Sequence, residues 1–259
     1  MTQKDRNFGQ IMGINVISSS VNILLARVED FITHNIKFSI LTPNSELVLM
    51  AQNNQKLKSA LNSADLPVPD TVGLNYASKF LFGKSLTIIP GRKLFLELIR
   101  LASEKGWRVF LFGGMDSEAT RAALNLKSQF SNLKIESDKG PKLSLEGEPA
   151  SETDKKLEKE AVEKINKFSP QILFVAFGNP KQEIWVHENL SSLSVGGAMA
   201  VGGAFRYTAG LAKLPPKWME KVGLEWFWRL ITEPKRIGRV FNAVVVFPLR
   251  VVLYSLTHS

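Results

Sequence analysis

Five short segments of this chain hold residues whose types could do chemistry: Thr42-Pro43-Asn44, Asp70, Gly113-Gly114, Gly178 to Glu183, and Gly202-Gly203-Ala204. At Gly113, Gly114, Gly202 and Gly203 a missing side chain would let a nucleotide come close to backbone N–H groups, although tight turns account for the same glycines. Asp70 stands just before a helical pattern, where an aspartate makes a good N-cap. Pro43-Asn44 is ordinary turn chemistry. Gln182, in the first turn of a helix behind a buried strand, has no obvious packing purpose and reads as a binding residue. Lys181 and Glu183 beside it read as an ordinary solvated helix start.

The chemistries these residues do not support narrow the field. No G-x-G-x-x-G or G-x-x-x-x-G-K-[ST] is complete, so dinucleotide and P-loop readings are weak. None of the seven aspartates lies two residues from another. The D-x-D carboxylate pair that holds a divalent metal in many sugar-nucleotide enzymes is therefore missing. There is no cysteine, and the three histidines, His34, His187 and His258, are scattered. Neither a thiolate nor a histidine zinc centre is expected, and no cofactor is implied. A bound diphosphate would have its charge offset by helix N-termini, backbone N–H groups and arginines.

The elements that must position these segments alternate. Lys37–Thr42 reads as a short buried strand, and a helix is expected from about Glu46 to Leu61. Asp65–Pro69 reads as a short strand before a helical pattern through Phe82. Arg108–Phe112, Gln171–Phe177 and Ala198–Val201 read as further strands, with helices over Ser117–Phe130 and Lys181–Leu190. Ser137–Lys156 is polar and rich in Gly, Pro and Ser, which reads as a surface loop before a helix carrying Leu157, Ala161, Ile165 and Phe168. Repetition of strand, turn and helix implies an α/β fold, a Rossmann-like and mostly parallel sheet flanked by helices. Ligands in such folds bind beyond the carboxyl ends of the strands. The five segments are therefore expected to converge on one cleft.

The chain has 259 residues, of which 44% are hydrophobic and 22% charged, enough for a sizeable core and too apolar for a disordered chain. The net charge of +9 implies an anionic partner. Between Lys213 and Arg250 eight basic residues meet only three acidic ones, among Trp226, Phe227, Trp228, Phe241 and Phe247. Such a basic, aromatic tail suits anionic headgroups or diphosphates. We divide the chain into an α/β catalytic domain, residues 1–206, and a basic aromatic C-terminal appendage, residues 207–259. The apolar run Ala243–Leu249 stops at Arg250, short of the about 20 residues a bilayer span needs. Pro248 is expected to kink or end any helix there. No convincing signal segment is seen, so a cytoplasmic protein touching the inner face of the membrane is expected.

The motifs TPN at 42–44, PD at 69–70, FLFGG at 110–114, FGNPKQE at 177–183, VGGAF at 201–205, GLEWFWRL at 223–230 and EPKRIGR at 233–239 occur in that order. Together they resemble the WecG/TagA/CpsF glycosyltransferases over roughly residues 11–240. The resemblance implies a bacterial enzyme moving an N-acetylmannosamine-type sugar from a UDP-sugar donor to a lipid-linked diphosphate-sugar acceptor, typically N-acetylglucosamine on undecaprenyl diphosphate. It implies inversion at the anomeric centre, no metal, and a product used in teichoic acid, capsule or other cell-envelope polysaccharide. It makes Asp70 the catalytic base, places Thr42, Asn44 and Gln182 around the sugar, and assigns Arg229, Arg236 and Arg239 to the acceptor's diphosphate. On one helix, their +7 and +10 spacing would put these three arginines on one face.

The chain departs from the family pattern at four places. Ile88 stands where an arginine is usual, Thr71 for a glycine, Arg206 for an acid and Leu214 for an arginine. A degenerate UDP-sugar-binding protein at the membrane surface is thus the alternative reading. Nucleic-acid binding, suggested by charge and aromatics, is disfavoured because the basic residues gather beside apolar valines; no nucleic-acid partner is expected. A homo-oligomer is left open.

Overall fold

The computed structural model describes residues 8–216, 219, 225–232 and 237–257. A hairpin of β1 (Phe8–Ile11) and β2 (Ile14–Ile17) leads into α1 (Val21–Thr33), which Ser20 caps by accepting from the Ile23 N–H. The sheet is built from β3 (Phe38–Leu41), β4 (Leu66–Pro67), β5 (Arg108–Gly113), β6 (Lys134–Asp138), β7 (Ile172–Ala176) and β8 (Gly197–Ala200). Their spatial order is β4-β3-β8-β7-β5-β6, and every neighbouring pair is parallel. The chain starts at β3, steps outward to β4, crosses to β5 and β6, and fills the middle with β7 and β8 last.

Side chains alternate between the faces, as a pleated strand requires. Ile40, Val109, Leu111, Phe174 and Met199 enter one cluster with α1, α5 (Gly91–Lys105), α6 (Glu118–Gln129) and α9 (Ala204–Thr208). Leu41, Phe110, Phe112, Leu173 and Val175 enter the other. There they meet α2 (Ser45–Ala51), α3 (Gln55–Ser63), α4 (Val72–Phe82), α7 (Glu152–Phe168) and α8 (Lys181–Asn189). Both faces are covered, which is how parallel sheets occur. The Rossmann-like α/β expectation holds.

Three local expectations are corrected. The single helix over Glu46–Leu61 is two helices, because the Asn54 side chain accepts from the Leu57 N–H at 2.9 Å and caps a new start. β6 was not expected: its Lys-Ile-Glu-Ser-Asp run lacks an apolar stretch because it is an edge strand, paired only with β5. The loop expected from Ser137 thus begins inside a strand. Of the two outcomes expected at Pro248, a kink or an end, the end does not occur. After α10 (Glu225–Thr232), α11 runs unbroken over Ile237–Thr257, with a π-wound middle at Asn242–Val246 in which the Phe247 N–H reaches the Asn242 carbonyl. Proline offers no N–H, and the wide turn just before it shifts the hydrogen-bond ladder so that the helix continues.

With 21 residues, and a mean hydropathy of 1.8 over an 18-residue stretch of it, α11 is long and apolar enough, by length and composition, to cross a membrane. Yet Phe247 and Val251, near its middle, are buried in the second core cluster. Gly73 lies beside this contact, where a Cβ would only touch the Phe247 ring, at 3.8 Å, but would run into Ser45 Oγ at 2.5 Å.

Candidate active site

Backbone bonds stitch the carboxyl ends of β3 and β4 to the start of α5. The Val68 N–H donates to the Leu41 carbonyl (2.9 Å), the Asp70 N–H to Pro43 (2.9 Å) and the Ile89 N–H to Pro69 (3.0 Å). Thr42, Asp70 and Gly91 are thereby gathered in one place. Asp70 Oδ1 accepts from the Gly91 N–H at 2.6 Å, in the first turn of a 15-residue helix whose N-cap, Pro90, supplies no side-chain bond. The carboxylate therefore serves the positive end of α5. The N-cap of α4 is Thr71, so the role of a local cap expected for Asp70 is not the one observed. Gly91 is closely packed on Thr42, since a Cβ would lie 3.2 Å from Thr42 Oγ1 and 3.3 Å from its Cγ2, with Asp70 Oδ1 at an ordinary 3.5 Å. Asn44 caps α2 by accepting from the Leu47 N–H at 2.9 Å.

The glycine turns differ in what they demand. Gly113 (φ +100°) and Gly114 (φ +86°) are left-handed, and a Cβ on Gly113 would meet the Ala176 carbonyl oxygen at 2.9 Å. Backbone geometry explains them. Gly202 is also left-handed, at φ +54°. Gly203 has φ −80°, and its Cβ would approach nothing closer than Tyr207 at 3.9 Å. Neither strain nor crowding requires glycine at Gly203, so the space over the β8 turn is open.

Between the two central strands sits a buried polar pair. Gln182 is 1% exposed; its Oε1 accepts from the Gly178 N–H (3.2 Å) and the Gly202 N–H (3.1 Å). Its Nε2 donates to Asn179 Oδ1 (3.3 Å) and to Glu183 Oε1 (2.7 Å). An amide side chain can make four such bonds, and all four are taken. Gln182 thus has the packing purpose that was not visible in the sequence. Glu183 is 0% exposed, not a solvated helix start, and its Oε2 has no hydrogen-bond partner. Burial pushes this carboxyl up to about 7, helped by the charge of Glu46 and opposed by the Gln182 bond and Arg239.

Among the arginines, Arg239 makes a two-pronged ion pair with Glu46 of α2, at 2.6 and 2.7 Å. The Arg229 side chain and all of Arg236 lie outside the described residues, as does the segment 233–236 across which the shared helical face was expected. Arg206 stands 4.0 Å from Glu118, whose other oxygen accepts from the Met115 N–H. Arg92 lies over the Tyr207 ring, 5.9 Å from its centre.

The family model for the glycosyl transferase WecG/TagA/CpsF family matches residues 9–259. The chain belongs to this family. It is 29% identical over 231 residues to the N-acetylglucosaminyldiphosphoundecaprenol N-acetyl-beta-D-mannosaminyltransferase of Bacillus spizizenii, covering 88% of this chain and 85% of that protein. It is 29% identical over 247 residues to the protein of the same name from Staphylococcus aureus, covering 93% and 91%.

In this WecG/TagA/CpsF glycosyltransferase the carboxyl ends of the strands bring together Thr42 with Asp70, and Gln182 with Gly202. Sequence reasoning missed Glu183, Glu46 and Gly91. The one signal for Glu183 was the apolar Ile184-Trp185-Val186 directly behind it, which leaves α8 no solvent face at its start. No group of three or more metal-ligating side chains exists among the described residues. Two cavities, of about 240 and 370 Å³, lie nearer the amino ends of the strands, around Ser39 and His187 and around Arg108 and Gly196. Neither is lined by a candidate residue.

Proposed function

We propose that this glycosyltransferase moves an N-acetylmannosamine-type sugar from a UDP donor to N-acetylglucosamine on undecaprenyl diphosphate, with inversion and without a metal ion. The observation that carries the reading is Asp70, fixed at the N-terminus of α5 beside Thr42, in a chain whose relatives are named N-acetylmannosaminyltransferases acting on N-acetylglucosaminyldiphosphoundecaprenol. The acceptor hydroxyl attacks the anomeric carbon from the face opposite the leaving group. Asp70 takes its proton as the new C–O bond forms, and the bond to UDP breaks with its electron pair leaving on the diphosphate. The Gly203 end of the Gly202-Gly203 turn faces the nucleotide, with the Gly113-Gly114 turn beside it, while the Gly202 and Gly114 N–H groups are held by Gln182 and Ala176. Thr42 and Asn44 border the sugar, and Arg229, Arg236 and Arg239 meet the acceptor's diphosphate.

The acceptor is lipid-borne, and the C-terminal appendage supports a place on the inner face of the cytoplasmic membrane. Because Phe247 and Val251 pack on the protein body at mid-helix, α11 lies along the membrane surface rather than through it. Leu249, Val252, Leu253 and Leu256 are exposed on it, and α4 beneath exposes Val72, Tyr76 and Phe80 at four-residue spacing.

The test is UDP release from a panel of UDP-N-acetylhexosamines with a diphospholipid-linked N-acetylglucosamine. Turnover is expected with the manno donor, and Asp70→Asn should lower kcat roughly 10²- to 10⁴-fold while UDP still protects against thermal unfolding. Unchanged turnover in that variant removes Asp70 as the base. Binding of UDP with no transfer to any acceptor favours the degenerate binding protein instead.

A further inference from the structure

The transfer step leaves one buried carboxyl unused. Glu183 lies at the start of α8, between the carboxyl ends of β7 and β8, with one oxygen accepting from Gln182 and the other unpartnered. Gln182 in turn joins two loops that no backbone bond between them is seen to join: Gly178 after β7 and Gly202 after β8. A glutamine amide has two ends of similar shape and opposite chemistry. Only one orientation sets its oxygen against those two N–H groups, and acceptors on the nitrogen side, Asn179 and Glu183, reinforce it.

We propose that Glu183 is a positioning residue, holding the Gln182 amide oxygen-first against Gly178 and Gly202 so that the two central loops form one rigid edge of the donor site. This inference rests on the reading of the Gly202-Gly203 turn as nucleotide-facing. Glu183 supplies the shorter of the two acceptors, 2.7 Å against 3.3 Å from Asn179, and it is the fully buried one. Its displacement from the ordinary carboxylate range keeps much of it neutral near neutrality, which lowers the cost of burying it. A neutral carboxyl still offers Oε1 as an acceptor. An unpartnered buried carboxyl is costly to keep, and a volume-matched apolar side chain would relieve that cost. Its presence at this position therefore needs a reason other than stability.

Two variants separate positioning from mere packing. Glu183→Leu keeps volume and removes the acceptor, and Glu183→Gln keeps an acceptor oxygen in the same place. In Glu183→Leu, thermal stability should be equal to or above wild type, while amide exchange at Gly178 and Gly202 rises tenfold or more. Its KM for the UDP-sugar should rise about three- to tenfold with kcat within about threefold, the size of one lost hydrogen bond. Glu183→Gln should restore both readouts, and adding Gln182→Ala to Glu183→Leu should cost little more than either alone. Wild-type exchange at both glycines in a folded Glu183→Leu protein overturns the proposal. So does a Glu183→Gln variant as impaired as Glu183→Leu, or strict additivity of the pair. If the wild type neither binds UDP nor transfers sugar, the functional reading fails. The clamp is then still decided by glycine exchange alone.

Discussion

Two helices of this protein lack a polar, water-facing stripe over part of their length, and they meet different fates. In α8, five consecutive residues, Gln182 to Val186, are buried in the body, and the two polar ones find protein partners or stay unpaired at a cost. In α11, Phe247 and Val251 are buried while Leu249, Val252, Leu253 and Leu256 face outward. A helix without a polar stripe needs a non-aqueous surrounding on every side. For Gln182–Val186 of α8 the protein supplies it. For α11 the protein supplies one side only, and the lipid surface proposed above supplies the other. Apolar periodicity tells that a helix needs cover, but not what the cover is.

The largest effect that tests this contrast is Phe247→Ala. Removing a fully buried aromatic ring should cost about 3–5 kcal/mol in the global unfolding of the full chain, measured by chemical denaturation. Should unfolding stay as in wild type, α11 is not part of the body's core, and the comparison with α8 loses one of its terms.

A slightly smaller effect comes from the other helix and depends on pH. The folded-state value of Glu183, about 7, is above its ordinary 4.5. A raised carboxyl contributes stability that is whole below about 4.5, declines as pH rises through about 7, and is gone above. The groups facing it with charge are Glu46, which raises it, and Arg239, which lowers it. Between pH 5 and 8 the wild type should lose about 3 kcal/mol relative to Glu183→Gln, which cannot titrate. Parallel stability curves for the two proteins would mean that the carboxyl is paired or hydrated in solution.

The fold was more legible than the site. Strands β3, β5, β7 and β8 are buried on both faces, so their apolar runs are continuous and their ends fall within a residue or two of the expected ones. β6 carries no such run because an edge strand can be polar. The convergence of Thr42, Asp70, Gln182 and Gly202 at one end of the sheet followed from topology alone. What stayed hidden is set by contacts distant in sequence. Asp70 caps a helix that starts 21 residues later, and Glu46 pairs with a residue 193 positions away. Glu183 in sequence is a charged residue at a helix start, where an acid ordinarily faces water and the dipole. Only the closing of β8 beside β7 buries it.

The outward face of α11 is the next test by size. Leu249→Lys with Leu253→Lys changes two residues that are 61% and 56% exposed, so folding stability should stay within about 0.5 kcal/mol. Binding to vesicles carrying anionic lipid should fall by one to two orders of magnitude despite the two added positive charges, from about 2 kcal/mol of lost apolar transfer. Tighter binding would mean that charge, and not the apolar face, holds the tail to lipid. The opposed behaviour of the two helices would then vanish.

The smallest expected effect is at the joint between body and tail. The Arg239–Glu46 pair is two-pronged but partly exposed, 45% and 20% respectively, so its contribution to folding should be about 1 kcal/mol or less. Its value as a test lies in sign. If Arg239 meets the acceptor's diphosphate, Glu46 competes for the same guanidinium. Glu46→Gln should then lower the KM for the lipid-linked acceptor a few-fold, and Arg239→Ala should raise it, with the KM for the UDP-sugar unmoved in both. Because both contacts are between partly solvated charges, the gap between the two variants should narrow as salt is added. If instead the pair only fastens α11 to α2, breaking it from either end loosens the same joint, and the two variants shift the acceptor KM in the same direction.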